Sequence, residues 1–211
     1  MKLQISFDIV DLDKATDIAT KVAKYADIIE IGTVLLYKYG IKAIEDFRKK
    51  LPKESILADS KIIDRGKDVT NLILNAGADW VTVMSGTSKE VIHAVATTAH
   101  ELNKKVMLDL VDSSSPGQSA LEAKSLGIDA ILFHQTYDEK QTLLFLDKWD
   151  MVKGNTQLPI FISARINRDT IEKILELKPD GVVIGKSITG SQNPEEEAKF
   201  FYEACFGKQI D

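Results

Sequence analysis

Short apolar runs recur along this chain at residues 3–9, 28–31, 56–58, 80–84, 105–110, 130–133, 159–162 and 181–184. Each is followed by a polar turn and then by a longer stretch whose apolar residues fall at three- and four-residue steps, which predicts amphipathic helices over residues 12–25, 41–49, 69–76, 89–102, 119–126, 170–177 and 194–206. A less regular stretch, residues 138–151, supplies another. Several helices end in turn signals, Asn75-Ala76-Gly77-Ala78-Asp79, Ser125-Leu126-Gly127-Ile128-Asp129 and Leu177-Lys178-Pro179-Asp180-Gly181, which read as glycine C-caps repeated from unit to unit. Strands alternating with helices make a parallel sheet through right-handed crossovers. Eight such units favour a closed (β/α)8 TIM barrel over an open doubly wound sheet, as a single domain over residues 1–211. It is a compact one beside the roughly 250 residues typical of the fold. The Gly-x-Gly-x-x-Gly fingerprint of dinucleotide-binding folds does not occur.

Composition narrows the class. With 44% hydrophobic residues the chain can bury a full core, and its net charge of −5, from 27 Lys and Arg against 32 Asp and Glu, is spread without a basic stripe or a charged tail. Neither a nucleic acid nor a membrane is an expected partner. The N-terminus is too short and polar for a signal peptide, and no window reaches the roughly 20 apolar residues that span a bilayer. Cys205, the single cysteine, sits in an apolar pattern and reads as a packed thiol in a reducing cytoplasm.

Active-site groups of such a barrel project from the C-terminal ends of its strands. Here Asp8 closes the first run, Glu30 the second, Thr82 lies in the fourth, Asp109 closes the fifth and His134 follows the sixth. After the third run, Asp59, Lys61 and Asp64 crowd into six residues. On a strand Asp59 and Lys61 share one face, with Asp64 just beyond its end. Charges held that close shift one another's pKa values, and enzymes use such clusters to move protons and hold cations; an exposed turn with a surface ion pair has the same spacing. Glu30 and Asp59 fall on neighbouring strands about 4.8 Å apart, within reach of one hard divalent cation. Mg2+ is the expected ion, because it takes one or two carboxylates and completes its shell with water and substrate oxygens. A Glu30–Lys61 salt bridge inside the barrel competes with that use. His134 either exchanges protons near neutrality or is structural, and His93 and His100 fall in the helix after the fourth run. The last two loops, Ser163-Ala164-Arg165-Ile166-Asn167 and Gly185-Lys186-Ser187-Ile188-Thr189-Gly190, offer Arg165, Gly185 and Lys186 to a phosphate, or are ordinary turns.

Laid out this way, the whole chain resembles the orotidine 5'-monophosphate decarboxylase suprafamily. It is most similar to the branch that contains 3-hexulose-6-phosphate synthases and 3-keto-L-gulonate-6-phosphate decarboxylases. Ala58-Asp59-Ser60-Lys61-Ile62-Ile63-Asp64 carries the suprafamily's Asp-x-Lys-x-x-Asp element, and Ile29-Glu30-Ile31-Gly32-Thr33 points to the sugar-phosphate branch. The resemblance implies that Glu30 and Asp59 bind Mg2+, that Lys61 stabilises a 1,2-enediolate of a phosphorylated ketose, and that His134 transfers protons. It further implies that Asp8, Thr82 and Asp109 line the pocket, and that Asp64 reaches across a homodimer interface into a shared active site. A synthase takes a proton from ribulose 5-phosphate and adds formaldehyde; a decarboxylase reaches a similar enediolate by losing carbon dioxide.

The chain also departs from that pattern. Ala164-Arg165 stands where the phosphate loop normally carries paired glycines, so Arg165 either blocks the phosphate or salt-bridges to it. Tyr137 replaces the arginine that helps the decarboxylase deliver a proton, which favours the synthase. Residues 111–117 differ from both enzymes, and Arg65 replaces a small residue. A carbon–carbon lyase of the synthase type is the leading expectation. The alternatives are the decarboxylase and a catalytically impaired sugar-phosphate-binding relative.

Overall fold

A computed structural model describes residues 1–136 and 148–207. The apolar runs form eight parallel strands: β1 (Lys2–Phe7), β2 (Ile28–Ile31), β3 (Ile56–Ile62), β4 (Trp80–Met84), β5 (Lys105–Asp109), β6 (Ala130–His134), β7 (Ile160–Ser163) and β8 (Gly181–Ile184). Each pairs with the next, and β8 returns to β1 in a register from Lys2↔Gly181 to Ile5↔Ile184, which closes the barrel and excludes the open sheet. Around it lie α1 (Leu12–Val22), α2 (Thr33–Tyr39), α3 (Ile41–Lys50), α4 (Gly66–Asn75), α5 (Lys89–Glu101), α6 (Pro116–Ala123), α7 (Trp149–Lys153), α8 (Ile171–Glu176), α9 (Lys186–Thr189) and α10 (Pro194–Phe206). Among the described residues no helix is long and apolar enough to cross a membrane.

Two differences from the sequence pattern have local causes. Helix α2 is absent from the periodic reading because it follows β2 after Gly32 alone and is separated from α3 only by Gly40, whose φ of 59° breaks the helical path. The third turn signal caps differently from the other two. Gly77 and Gly127 take positive φ, as expected, but after α8 that conformation falls to Lys178, and Gly181 instead lies inside β8. A Cβ there would come within 2.4 Å of the Phe161 ring. The tail of the 138–151 stretch forms α7; the rest lies outside the described residues.

Alternation along the strands divides the apolar residues into two cores. Outward-facing Leu3, Ile5, Phe7, Ile31, Val81 and Val83 pack against the helices. Inward-facing Ile28, Leu57, Trp80, Met107, Ala130, Leu132, Phe161 and Val183 fill the barrel's interior. Two residues further along the same inward faces, the side chains become Glu30, Asp59, Thr82 and Asp109. The barrel is plugged with hydrocarbon below and lined with charge above.

At the lower end one device occurs four times. Asp27, Asp79, Asp129 and Asp180 each stand immediately before an even-numbered strand. Their own N–H groups donate to the carbonyls of Leu3, Ile56, Val106 and Ile160 at 2.8, 2.7, 3.0 and 2.9 Å. Each Oδ2 accepts the N–H of that same residue, at 2.8, 2.9, 2.8 and 2.9 Å. Every odd strand is thereby clasped at its entry, where a parallel ladder otherwise leaves backbone groups unpaired.

Candidate active site

The ends of β1 to β6 bring most of the charged residues singled out in the sequence into one buried cluster. Lys61 is its centre. Its Nζ donates to Asp59 Oδ2 at 2.8 Å and Oδ1 at 2.9 Å, and to Asp109 Oδ2 at 3.1 Å. Asp59 is 7% exposed and Asp109 fully buried, so this is no surface ion pair. Asp109 also accepts from Val111 N–H and joins His134 Nδ1 at 3.0 Å, which links Lys61 to His134 through one carboxylate. The Glu30–Lys61 salt bridge does not form. Glu30 instead accepts from Gln4 Nε2 at 2.5 Å and from Ser6 Oγ at 3.0 Å, both reaching across from β1.

Small residues shape the rest of the mouth. Asp8, at the rim, packs over Gly32, where a Cβ would lie 2.2 Å from Asp8 Oδ1 and 2.7 Å from the Phe7 carbonyl. That contact gives the glycine of Ile-Glu-Ile-Gly-Thr its physical reason. Thr33, the first residue of α2, donates to Asp59 Oδ2 at 2.6 Å. Thr82 is fully buried and donates to Asp59 Oδ1 at 2.9 Å. Sequence reasoning did not single out Gln4, Ser6 and Thr33 as site residues: all three are uncharged, and they lie before or after the strand-end charges. The visible signal was two polar residues at alternate, inward positions of an otherwise apolar first run.

The charges perturb one another in opposite directions. Burial, reinforced by the neighbouring Asp59, pushes Glu30 up to about 8. Withdrawal from water also raises Asp8, more than the Val34 N–H offsets, and Asp59 adds to the rise. Burial alone would lower Lys61, but Asp59 and Asp109 outweigh it and hold the ammonium above the ordinary lysine range. His134 follows the same logic: burial opposes its charge, yet Asp109 raises it overall. Asp109 in turn is held low by His134 and Lys61 against its own burial. The result is a fixed cation, a histidine of raised proton affinity and a carboxyl pair, Asp59 and Glu30, of which Asp59 is matched by Lys61 while Glu30 accepts only from the neutral Gln4 and Ser6.

Glu30 and Asp59 are the residues that would hold the expected metal. Among the described residues no group of three or more His, Cys, Asp or Glu side chains is disposed to cage an ion. Glu30 and Asp59, however, are buried and close enough to raise the proton affinity of Glu30, which is the donor set of a hard cation held by two carboxylates.

The remaining candidates lie around the rim. Arg165 is exposed on the loop after β7, while Gly185 precedes α9 and Lys186 begins it. Ser187 Oγ donates to the Ile166 carbonyl at 2.6 Å and ties these two loops together. A Cβ on Gly185 would meet only ordinary contacts at 3.6 Å, so internal packing does not demand a glycine there. Asp64 is exposed and, among the described residues, accepts from the N–H of Arg65. Tyr137 lies outside the described residues. His93 and His100 are on α5, and His100 contacts Asp129 at the lower end. Burial pushes the Cys205 thiol up to about 11, as an inert packed thiol requires.

The chain belongs to the orotidine 5'-phosphate decarboxylase / HUMPS family, whose model matches residues 1–201. Its members are enzymes, and the fold and relatives make this chain a carbon–carbon lyase. A 3-hexulose-6-phosphate synthase of Staphylococcus aureus is 30% identical over 99% of this chain and 100% of its own length. The crystal structure of a 3-hexulose-6-phosphate synthase from Salmonella typhimurium superposes with a TM-score of 0.92, at 30% identity over 98% of this chain and 99% of that one. A 3-keto-L-gulonate-6-phosphate decarboxylase from Vibrio cholerae gives 0.82 at 27% identity, over 97% and 96%.

Proposed function

We propose that this chain is a 3-hexulose-6-phosphate synthase that adds formaldehyde to ribulose 5-phosphate, with Mg2+ as cofactor. The observation that carries the reading is the Lys61 ammonium, clamped between Asp59 and Asp109 and joined through Asp109 to His134. In this reading Nδ1 of His134 stays with Asp109, and Nε2 takes a proton from C1 of the ketose. The electrons of that C–H bond form the C1–C2 double bond, and charge collects on the C2 oxygen. Lys61 is a preorganised donor for that oxygen and does not reorganise as charge develops. Glu30 and Asp59 would hold Mg2+, which when bound would supply further electrostatic stabilisation of the same charge. C1 then attacks the formaldehyde carbon, the electron pair of its C=O bond moves to oxygen, that oxygen takes the proton held on His134 Nε2, and C2 becomes the ketone of the product. Arg165, Gly185 and Lys186 bind the phosphate from the rim, while Asp8, Thr82 and Asp109 order the pocket wall.

We also propose a homodimer with shared active sites in a reducing cytoplasm. It is supported by the exposure of Asp64 beside Ile63, an apolar side chain 66% exposed on the same loop.

The test is incubation with Mg2+ and ribulose 5-phosphate in D2O, followed by NMR. Deuterium should enter C1, and added formaldehyde should yield a hexulose 6-phosphate. Turnover of 3-keto-L-gulonate 6-phosphate instead would make the chain a decarboxylase. Absence of both exchange and ribulose 5-phosphate binding would sink the enediolate reading.

A further inference from the structure

The pairing of β3 with β4 is irregular where the chemistry lies. Leu57 faces Trp80 and Ala58 faces Val81, but the next pair is Ile62 with Val83. Three consecutive residues of β3, Asp59, Ser60 and Lys61, therefore stand opposite Thr82 alone. A regular ladder would set one residue opposite Thr82; the bulge seats three there, and the Lys61 ammonium meets Asp59 Oδ2 at 2.8 Å. The cost of the bulge is visible at Lys61, whose φ of 45° is left-handed, a conformation that side chains with a Cβ rarely adopt.

Thr82 answers all three residues. Its carbonyl accepts from Ser60 Oγ at 3.0 Å. Its hydroxyl oxygen accepts the Lys61 backbone N–H at 2.9 Å and donates its proton to Asp59 Oδ1 at 2.9 Å. A hydroxyl has one proton and two lone pairs, so it can serve an amide donor and a carboxylate acceptor at once. Valine has the same shape and can do neither. The Thr82 backbone is in turn fixed by its pairing with Met107 on β5.

We propose that Thr82 is a positioning residue whose hydroxyl holds the β3 bulge in its strained form and thereby aims Lys61 and Asp59. The inference rests on the reading that these two residues act in the reaction. Thr82 reaches the chemistry through them, from a fully buried site.

The experiment compares Thr82→Val with Thr82→Ser, measuring C1 deuterium exchange of ribulose 5-phosphate and amide hydrogen exchange at Lys61. In Thr82→Val, kcat should fall about 100-fold with KM changed less than about threefold, because the loss is one of alignment. The Lys61 amide should exchange at least about tenfold faster once its buried acceptor is gone. Thr82→Ser, which keeps the hydroxyl, should stay within about fivefold of the parent in both readouts. If Thr82→Val does not fold, Thr82→Ala carries the same comparison without a methyl group against Asp59. Unchanged Lys61 amide exchange in the variants lacking the hydroxyl would overturn the role of Thr82, as would a serine variant as impaired as valine. Faster amide exchange with undiminished turnover would instead overturn the catalytic reading of Lys61.

Discussion

The two ends of the barrel use the same residue types for opposite purposes. At the lower end, each of four aspartates closes a strand entry against a backbone N–H, and three of them add a cationic or imidazole partner: Asp79 with Arg48 and Lys104, Asp129 with His100, Asp180 with Lys153. Burial would raise Asp79, but Lys104, the Ile56 N–H and Arg48 outweigh it and hold the carboxyl below its ordinary range. At the upper end Glu30 is pushed the other way, to about 8, by burial and by Asp59. A carboxylate whose donors are backbone groups and cations stabilises the fold. A carboxylate buried beside another one is a strain on the fold. This is the division expected of barrels, with stability below and chemistry above.

Substitutions at each end should separate the two roles. The largest effect belongs to Glu30→Gln, which should lower turnover by about a thousandfold or more, as expected when an electrostatic element of the site is removed. Its effect on stability should have the opposite sign. A folded-state pKa raised to about 8 means that the native state resists ionisation of Glu30, so the parent loses stability as pH rises from the ordinary carboxyl range through 8. Without added metal, denaturant unfolding should show Glu30→Gln gaining stability relative to the parent at pH 9 and gaining little at pH 4.5.

Asp79→Ala should cost about 2 kcal/mol of unfolding free energy at pH 7, since it strands the Ile56 N–H and removes the shared partner of Arg48 and Lys104. Urea titration measures this directly.

A smaller effect is expected at the pair that joins the two logics, His134 with Asp109. The raised pKa of His134 contributes stability that is fully present below its ordinary value of about 6.5 and is lost as pH rises through its folded-state value. The lowered pKa of Asp109 contributes stability present above its ordinary range and lost as pH falls through its folded-state value. His134→Gln should therefore destabilise by about 1 kcal/mol near pH 6 and by less at pH 9. Equal loss at both pH values would show that the pair contributes packing and no charge coupling.

The comparison also explains what was legible in the sequence. Strands buried on both faces read as plain apolar runs, and β2, β4 and β8 have the bounds those runs gave. The third run stops at Ala58 in the sequence, yet β3 continues to Ile62, because the bulge opposite Thr82 lets a charged segment remain a strand. Charges at strand ends announced the upper cluster, and Glu30, Asp59, Lys61, Asp109 and His134 do meet. The neutral residues that orient them, Gln4, Ser6 and Thr33, carry no such mark. The lower aspartates were in view as parts of turn signals, but an aspartate after a helix reads as an ordinary turn residue until its Oδ2 is seen on a neighbouring strand. Sequence shows where charge is; its partners, which decide the direction of a pKa shift, come only with the fold.

The division between the two ends assigns chemistry to the upper carboxylates and Lys61 and closure of the barrel to the lower aspartates. It is tested most directly by deuterium exchange at C1 of ribulose 5-phosphate in Lys61→Ala and Asp79→Ala side by side, with rates expressed per folded molecule. Lys61→Ala should lose exchange by about a thousandfold or more while remaining folded. Asp79→Ala should unfold at lower denaturant yet keep exchange within about threefold of the parent. Exchange that survives in Lys61→Ala, or that disappears in folded Asp79→Ala, would contradict it.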